Sequence, residues 1–215
     1  MLPRHTATLA ATLALLSGAN TSDKSSSSSS SSSAAKNGYD AVICGQNGYE
    51  DGSGLSYSAN AWNPSDNGFQ CLSVINGSSS TSGGFDATWK WPGDPGSVHS
   101  YPHVTFSSAD LPLSVSNISA LRLAASWAYS PGTASKAAPA GRLDVFDANG
   151  LDDVGAKANI AFDIFMDPDK NKASSATVAK YEMMIWIGQV GDPQPIGFKS
   201  ENATCYTQQL GSFNL

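Results

Sequence analysis

Short runs of β-branched and aromatic residues, each closed by Gly, Pro, Asn or Asp, succeed one another along most of this chain. Helix-length amphipathic stretches are scarce, so the pattern confines the chain to an all-β class. Many strands joined by polar turns favour a two-sheet sandwich or jelly roll. Strands are expected over residues 69–75, 84–91, 103–106, 122–129, 157–166 and 179–187. The helical competitor, 134–140, is short and close to two prolines, which argues against it. No internal repeat is evident.

Two of these runs are notable for the acidic residue they carry. Residues 181–187 read Tyr-Glu-Met-Met-Ile-Trp-Ile. Period-two spacing places Glu182, Met184 and Trp186 on one face, and Tyr181, Met183, Ile185 and Ile187 on a second face suited to a core. In the run ending at Met166, Ile160, Phe162, Ile164 and Met166 share an apolar face, while Asn159, Ala161, Asp163 and Phe165 form the other. If the two strands are neighbours, Asp163 and Glu182 share a surface. Two carboxyls at close range raise one pKa, which acid/base chemistry on a glycosidic bond requires. The plain alternatives are a satisfied or edge-exposed Glu182 and an Asp163 on a solvated face.

The start of the chain resembles an export signal in layout. A short basic region precedes a run rich in Ala and Leu over 7–16, and Ser17-Gly18-Ala19 follows. This predicts a signal peptide over 1–19, too short to span a bilayer. Residues 20–38 contain nine consecutive serines, 25–33. Such a tract buries no apolar area against its ordering entropy and reads as a flexible linker open to O-glycosylation. Residues 39–215 are then expected to be one domain, long enough to build a core.

Charge limits the partners. The chain carries a formal charge of -6 without basic clusters, so nucleic acid and anionic membrane are unfavourable partners. Ser, Gly, Asn and aromatic residues suit a neutral polar ligand. Trp62, Trp89, Trp91, Trp127 and Trp186 are dense for this length. Trp89 and Trp91 would share one strand face, either as a platform for flat sugar faces or as core.

Of the three cysteines, Cys44 and Cys71 form the natural pair in a secreted chain, and their bridge contributes on the order of 3–4 kcal/mol by chain entropy. Cys205 is left unpaired. Neither Cys nor His lies at zinc-ligand spacing, so no metal is expected. Sequons at Asn76, Asn117 and Asn202 permit N-glycans.

The segment 179–197, with Tyr181-Glu182-Met183-Met184-Ile185-Trp186-Ile187-Gly188 and Gly191-Asp192-Pro193-Gln194-Pro195-Ile196-Gly197, resembles glycoside hydrolase family 12. Asn60-Ala61-Trp62, Thr88-Trp89-Lys90-Trp91, Val98-His99-Ser100-Tyr101, Ser126-Trp127-Ala128-Tyr129 and Phe162-Asp163-Ile164-Phe165 match in the same order. Cys44 and Cys71 match its N-terminal disulfide. The resemblance implies a β-jelly roll of two curved antiparallel sheets with an open cleft on the concave one. It implies a secreted, monomeric endo-β-1,4-glucanase that acts with retention of configuration and without metal or cofactor. The substrate would be cellulose, mixed-linkage glucan or xyloglucan. Glu182 would be the nucleophile and Asp163 its supporting carboxylate. Asn60 and Trp62 would bind substrate, with Trp91, Met184 and Trp186 lining the cleft.

The resemblance also implies an acid/base glutamate on a later strand. Only Glu50, Glu182 and Glu201 occur, and Glu182 alone stands in matching context. The expectation is therefore a truncated catalytic domain over 39–215 that lacks the family's last strands, with a departure after about Gly197. Two alternatives are a xyloglucan-specific enzyme and an inactive glucan-binding protein.

Overall fold

Alternation in the sequence becomes antiparallel sheet over most of the described chain. The computed structural model describes residues 7–15, 39–46, 48–50, 54–79, 82–93, 96–131 and 147–194. Its strands are β1 (Ala7–Leu15), β2 (Ala41–Cys44), β3 (Gly48–Glu50), β4 (Leu55–Ser58), β5 (Phe69–Ser79), β6 (Ser82–Lys90), β7 (His103–Phe106), β8 (Leu123–Pro131), β9 (Ala158–Met166) and β10 (Tyr181–Val190). Two short helices, α1 (Ala148–Asp153) and α2 (Lys170–Ala173), flank β9.

The strands form three sheets, ordered β2-β5-β6-β1-β8, β3-β4-β7 and β10-β9. Every pairing is antiparallel. One apolar cluster joins them. Ile43, Leu72, Val74, Phe85, Ala87 and Tyr129 reach it from the five-stranded sheet, Leu55 and Tyr57 from β4, and Val190 from β10. Ala158 and Ile160 of β9 pack against it. Burying an aliphatic or aromatic side chain of this size contributes roughly 1.5–3 kcal/mol. Tyr129 Oη also donates to the carbonyl of Asn159 at 3.3 Å, tying β8 to β9.

Two glycines set how closely the layers approach. A Cβ at Gly83 would strike the Tyr57 hydroxyl and lie 2.8 Å from Leu55 Cδ1, so β6 packs tightly over β4. A Cβ at Gly188 would collide with the Trp127 ring. Gly188 sits just past a register shift in the β9–β10 ladder, after Trp186. The extra residue of such a bulge reorients the strand, and the bare backbone lets Trp127 of β8 seat against it. Cys44 and Cys71 form a disulfide across the β2–β5 pair, 27 residues apart in sequence.

The structure corrects the sequence expectations at two points, the short helices and the outer half of β10. Residues 7–15, inside the expected export signal, are β1, paired along both sides with β6 and β8. Helices α1 and α2 are single turns that periodicity does not reveal. Asp147 Oδ1 accepts the Gly150 N–H and Asp169 Oδ1 the Asn171 N–H, both at 3.0 Å, so local caps start them. Tyr181 and Met183, assigned to a core face, are 51% and 42% exposed. Only the far half of β10 reaches the core. Of the two readings open for Trp89, the core one is what the structure shows: it packs on the core with its ring edge-on to Tyr129 at 5.8 Å. The stretch 134–140, the serine tract, Glu201, the Asn202 sequon and Cys205 lie outside the described residues.

Candidate active site

The ladder between β9 and β10 brings the two acidic positions together. Met184 lies opposite Asp163, and Glu182 opposite Phe165. Residues directly opposite share a face, and so do alternate residues of one strand. Glu182 and Asp163 are therefore diagonal neighbours on one surface, with Met184 and Trp186 beside them. Glu182 is exposed and Asp163 half-buried.

Burial pushes the Asp163 carboxyl up to about 6, and the Glu182 charge and a hydrogen bond with that carboxyl act in the same direction. Hydrogen bonds from Tyr101 and from the Ile164 backbone oppose the rise. Asp163 Oδ1 is enclosed and has no donor partner among the described residues. A proton on Asp163 lets the two carboxyls hydrogen-bond, since two ionised carboxylates would both be acceptors.

Tyr101 is the third member, and the sequence reading gave it no role in the site. Its hydroxyl donates to Asp163 Oδ2 over a long 3.4 Å. Burial raises the phenol, and the charges of Asp163 and Glu182 raise it further, so it stays a donor. The backbone holds Tyr101 firmly. Its N–H donates to the Asn60 carbonyl at 3.1 Å, and its carbonyl accepts from Asn60 Nδ2 at 3.3 Å and His103 Nδ1 at 2.8 Å. Asn60 adopts a φ of 42°, the left-handed region that Asn tolerates better than most residues. In sequence, Tyr101 is marked only by its place in the 98–101 motif.

The remaining predicted site residues fall into two groups. Trp62 is 52% exposed, two residues from Asn60, with its indole free to meet a ligand. Met184 and Trp186 lie on the Glu182 face, Met184 exposed and Trp186 half-buried. Trp91, by contrast, is bound into the protein. Its Nε1–H donates to Ser100 Oγ at 3.2 Å and its ring stacks on His99 at 5.6 Å. Ser100 in turn donates to Gln70, and Gln70 to the Ala59 carbonyl. His99 Nδ1 donates to the Asn63 carbonyl at 2.7 Å. This network fixes the stretch carrying Asn60 and Trp62. The Asn60 carboxamide N–H is itself spent on Tyr101.

Among the described residues, no group of three or more His, Cys, Asp or Glu is placed to hold a metal ion. No helix among them is long and apolar enough to cross a membrane.

Residues 145–211 match the model of Glycosyl hydrolase family 12, a stretch that contains Asp163 and Glu182 and runs past Gly197 into the tail. The chain is 27% identical over 168 residues to Endoglucanase A of Aspergillus kawachii, covering 76% of this chain and 57% of that protein. It is 30% identical over 141 residues to "Probable xyloglucan-specific endo-beta-1,4-glucanase A" of Aspergillus clavatus, covering 64% and 46%. The chain thus spans about half the length of the curated relatives it matches. No solved structure matches it. A partial resemblance to glycosyl hydrolase family 12, weighted to the C-terminal part, is therefore present.

Proposed function

We propose that this chain carries the nucleophile of a secreted endo-β-1,4-glucanase that retains anomeric configuration, built on the family's jelly roll. The observation that carries the reading is the shared, solvent-facing surface of Glu182 and Asp163 within the stretch that matches the family. Glu182 would attack the anomeric carbon of a glucosyl unit and form a covalent glycosyl-enzyme, which water then releases. Asp163, sharing a proton with it, would orient the attacking oxygen and limit charge repulsion before the attack. Tyr101 would hold Asp163 in place. Trp62 would stack on a neighbouring glucosyl ring and keep the polysaccharide in register.

A glycosidic oxygen is a poor leaving group, so cleavage of an ordinary glucan also needs a carboxylic acid about 5–5.5 Å from the nucleophile. Protonation of the leaving group contributes roughly 10²–10⁴ in rate. Asp163 is committed to Glu182, and no described residue is assigned that role.

The substrate class follows the relatives, whose names specify an endoglucanase and a xyloglucan-specific endoglucanase. The test is reducing-end release from carboxymethyl cellulose, barley β-glucan and xyloglucan. The expected result is release from at least one substrate, lost to background in Glu182→Gln. Absence of release from all three would contradict the enzymatic reading.

A further inference from the structure

We propose that Asn117 carries an N-linked oligosaccharide, and that this glycan covers an apolar strip which the fold leaves bare. Residues 111–121 read Leu-Pro-Leu-Ser-Val-Ser-Asn-Ile-Ser-Ala-Leu, without a single charge. Leu111, Leu113, Val115, Ile118 and Leu121 are all exposed, Val115 at 69% and Leu121 at 58%. Five aliphatic side chains exposed within eleven residues are the kind of apolar surface that promotes association unless something covers it.

The sequon Asn117-Ile118-Ser119 lies in the middle of that strip. Asn117 ends the single 3-10 turn Val115–Asn117. Its N–H donates to the Ser114 carbonyl at 2.8 Å, and the Ile118 N–H to the Val115 carbonyl at 3.2 Å. The turn is thus fixed by its backbone, and the carboxamide is left to solvent. Ser116 Oγ donates to Asn117 Oδ1 at 3.5 Å, while Nδ2 makes no hydrogen bond among the described residues. Nδ2 is the atom that forms the sugar bond.

Asn76 presents the opposite geometry. It lies on β5 where the pairing with β6 shifts register, between Ile75 and Ser79. Its N–H donates to Asp40 Oδ2 at 2.8 Å, and its Oδ1 is enclosed. Growth of an oligosaccharide from Nδ2 there would require the carboxamide to turn out of its packing. The structure therefore separates two sequons that are equivalent in sequence.

The transfer needs an oligosaccharide carried on a lipid diphosphate. Asn117 Nδ2 bonds to the anomeric carbon, the bond from that carbon to the phosphate oxygen breaks, Nδ2 gives up a proton, and the lipid diphosphate departs. The glycan is bulky and solubilising. Anchored beside Val115 and Ile118, it places hydrated mass over the strip. The proposal requires export and does not depend on the glucanase reading.

The experiment secretes the full chain from a yeast host and maps glycopeptides before and after enzymatic release, which converts a glycosylated Asn to Asp. The expected result is a glycan at Asn117 and none at Asn76. Asn117→Gln and Ser119→Ala each lose it, and Asn76→Gln keeps it. Binding of a fluorescent apolar dye rises severalfold in both sequon variants, and equally when the folded wild-type protein is deglycosylated. An unmodified Asn117 in chain recovered from the medium, or a glycan at Asn76, would overturn the site. Dye binding unchanged by glycan removal would overturn the shielding.

Discussion

At the scale of single residues, the site turns on how Asp163 holds a proton. Its carboxyl sits at about 6 in the folded protein against an ordinary 3.8. Between those values the folded state binds a proton that the unfolded state has released. Stability must therefore fall as pH rises from about 4 to about 6. Asp163→Asn should flatten that slope. Tyr101→Phe removes a hydrogen bond that lowers the Asp163 value, so it should move the transition to higher pH. Denaturant unfolding across this pH range reads both effects. Glu182 on β10 and Tyr101 face the carboxyl, with the His103 ring 6.0 Å from that of Tyr101. A wild-type slope that Asp163→Asn leaves intact would contradict the assignment. Glu182 and Asp163 were legible as a pair because each stands on an alternating strand, and adjacent alternating strands place their like faces together. Tyr101 was not legible. It reaches Asp163 through a loop whose path depends on Asn60 in a left-handed conformation, and no local periodicity encodes that route.

At the scale of elements, chain length explains what periodicity could and could not reveal. Strands β5, β6, β8, β9 and β10 emerge from the sequence to within a few residues because their runs are long enough for alternation to repeat, and the four residues of β7 are marked by their β-branched and aromatic content. β2, β3 and β4 span only three or four residues each, and pairing with neighbours defines them. The outer half of β10 defeats the pattern differently. Its apolar alternation is clear, yet Tyr181 and Met183 stay largely exposed, with the Lys180 ammonium over the Tyr181 ring at 5.3 Å. Residues 7–15 show one apolar run suiting two incompatible uses. It has the layout of an export signal, and in the structure it is the strand between β6 and β8. Cleavage near Ala19 would remove the partner those two strands share. Hydrogen exchange on the full chain and on residues 20–215 tests the strand's contribution. We expect faster exchange across β6 and β8 in the shorter form, with β9 and β10 little changed. Equal protection in the two forms would show that β1 contributes nothing to the sheet.

For the whole molecule, the polypeptide combines an antiparallel scaffold with a two-stranded β9–β10 surface that carries Asp163 and Glu182. The shared core and the Trp127 contact at Gly188 hold β9 and β10 against the five-stranded sheet, and the tight approach at Gly83 holds β4 there. They leave Glu182 in solvent, with Trp62 exposed near the Asn60–Tyr101 link. The family resemblance extends across the same stretch and on to residue 211. Covalent trapping of the nucleophile tests the account most directly, since it needs no general acid. A cellobioside bearing fluorine at C2 and dinitrophenolate at C1 has a leaving group that departs without protonation, and the fluorine slows release of the glycosyl-enzyme. The account predicts one added 2-deoxy-2-fluorocellobiosyl mass on the tryptic peptide 181–199, located at Glu182 and absent from Glu182→Gln. Folded protein that takes no label, or takes it on another residue, would contradict it.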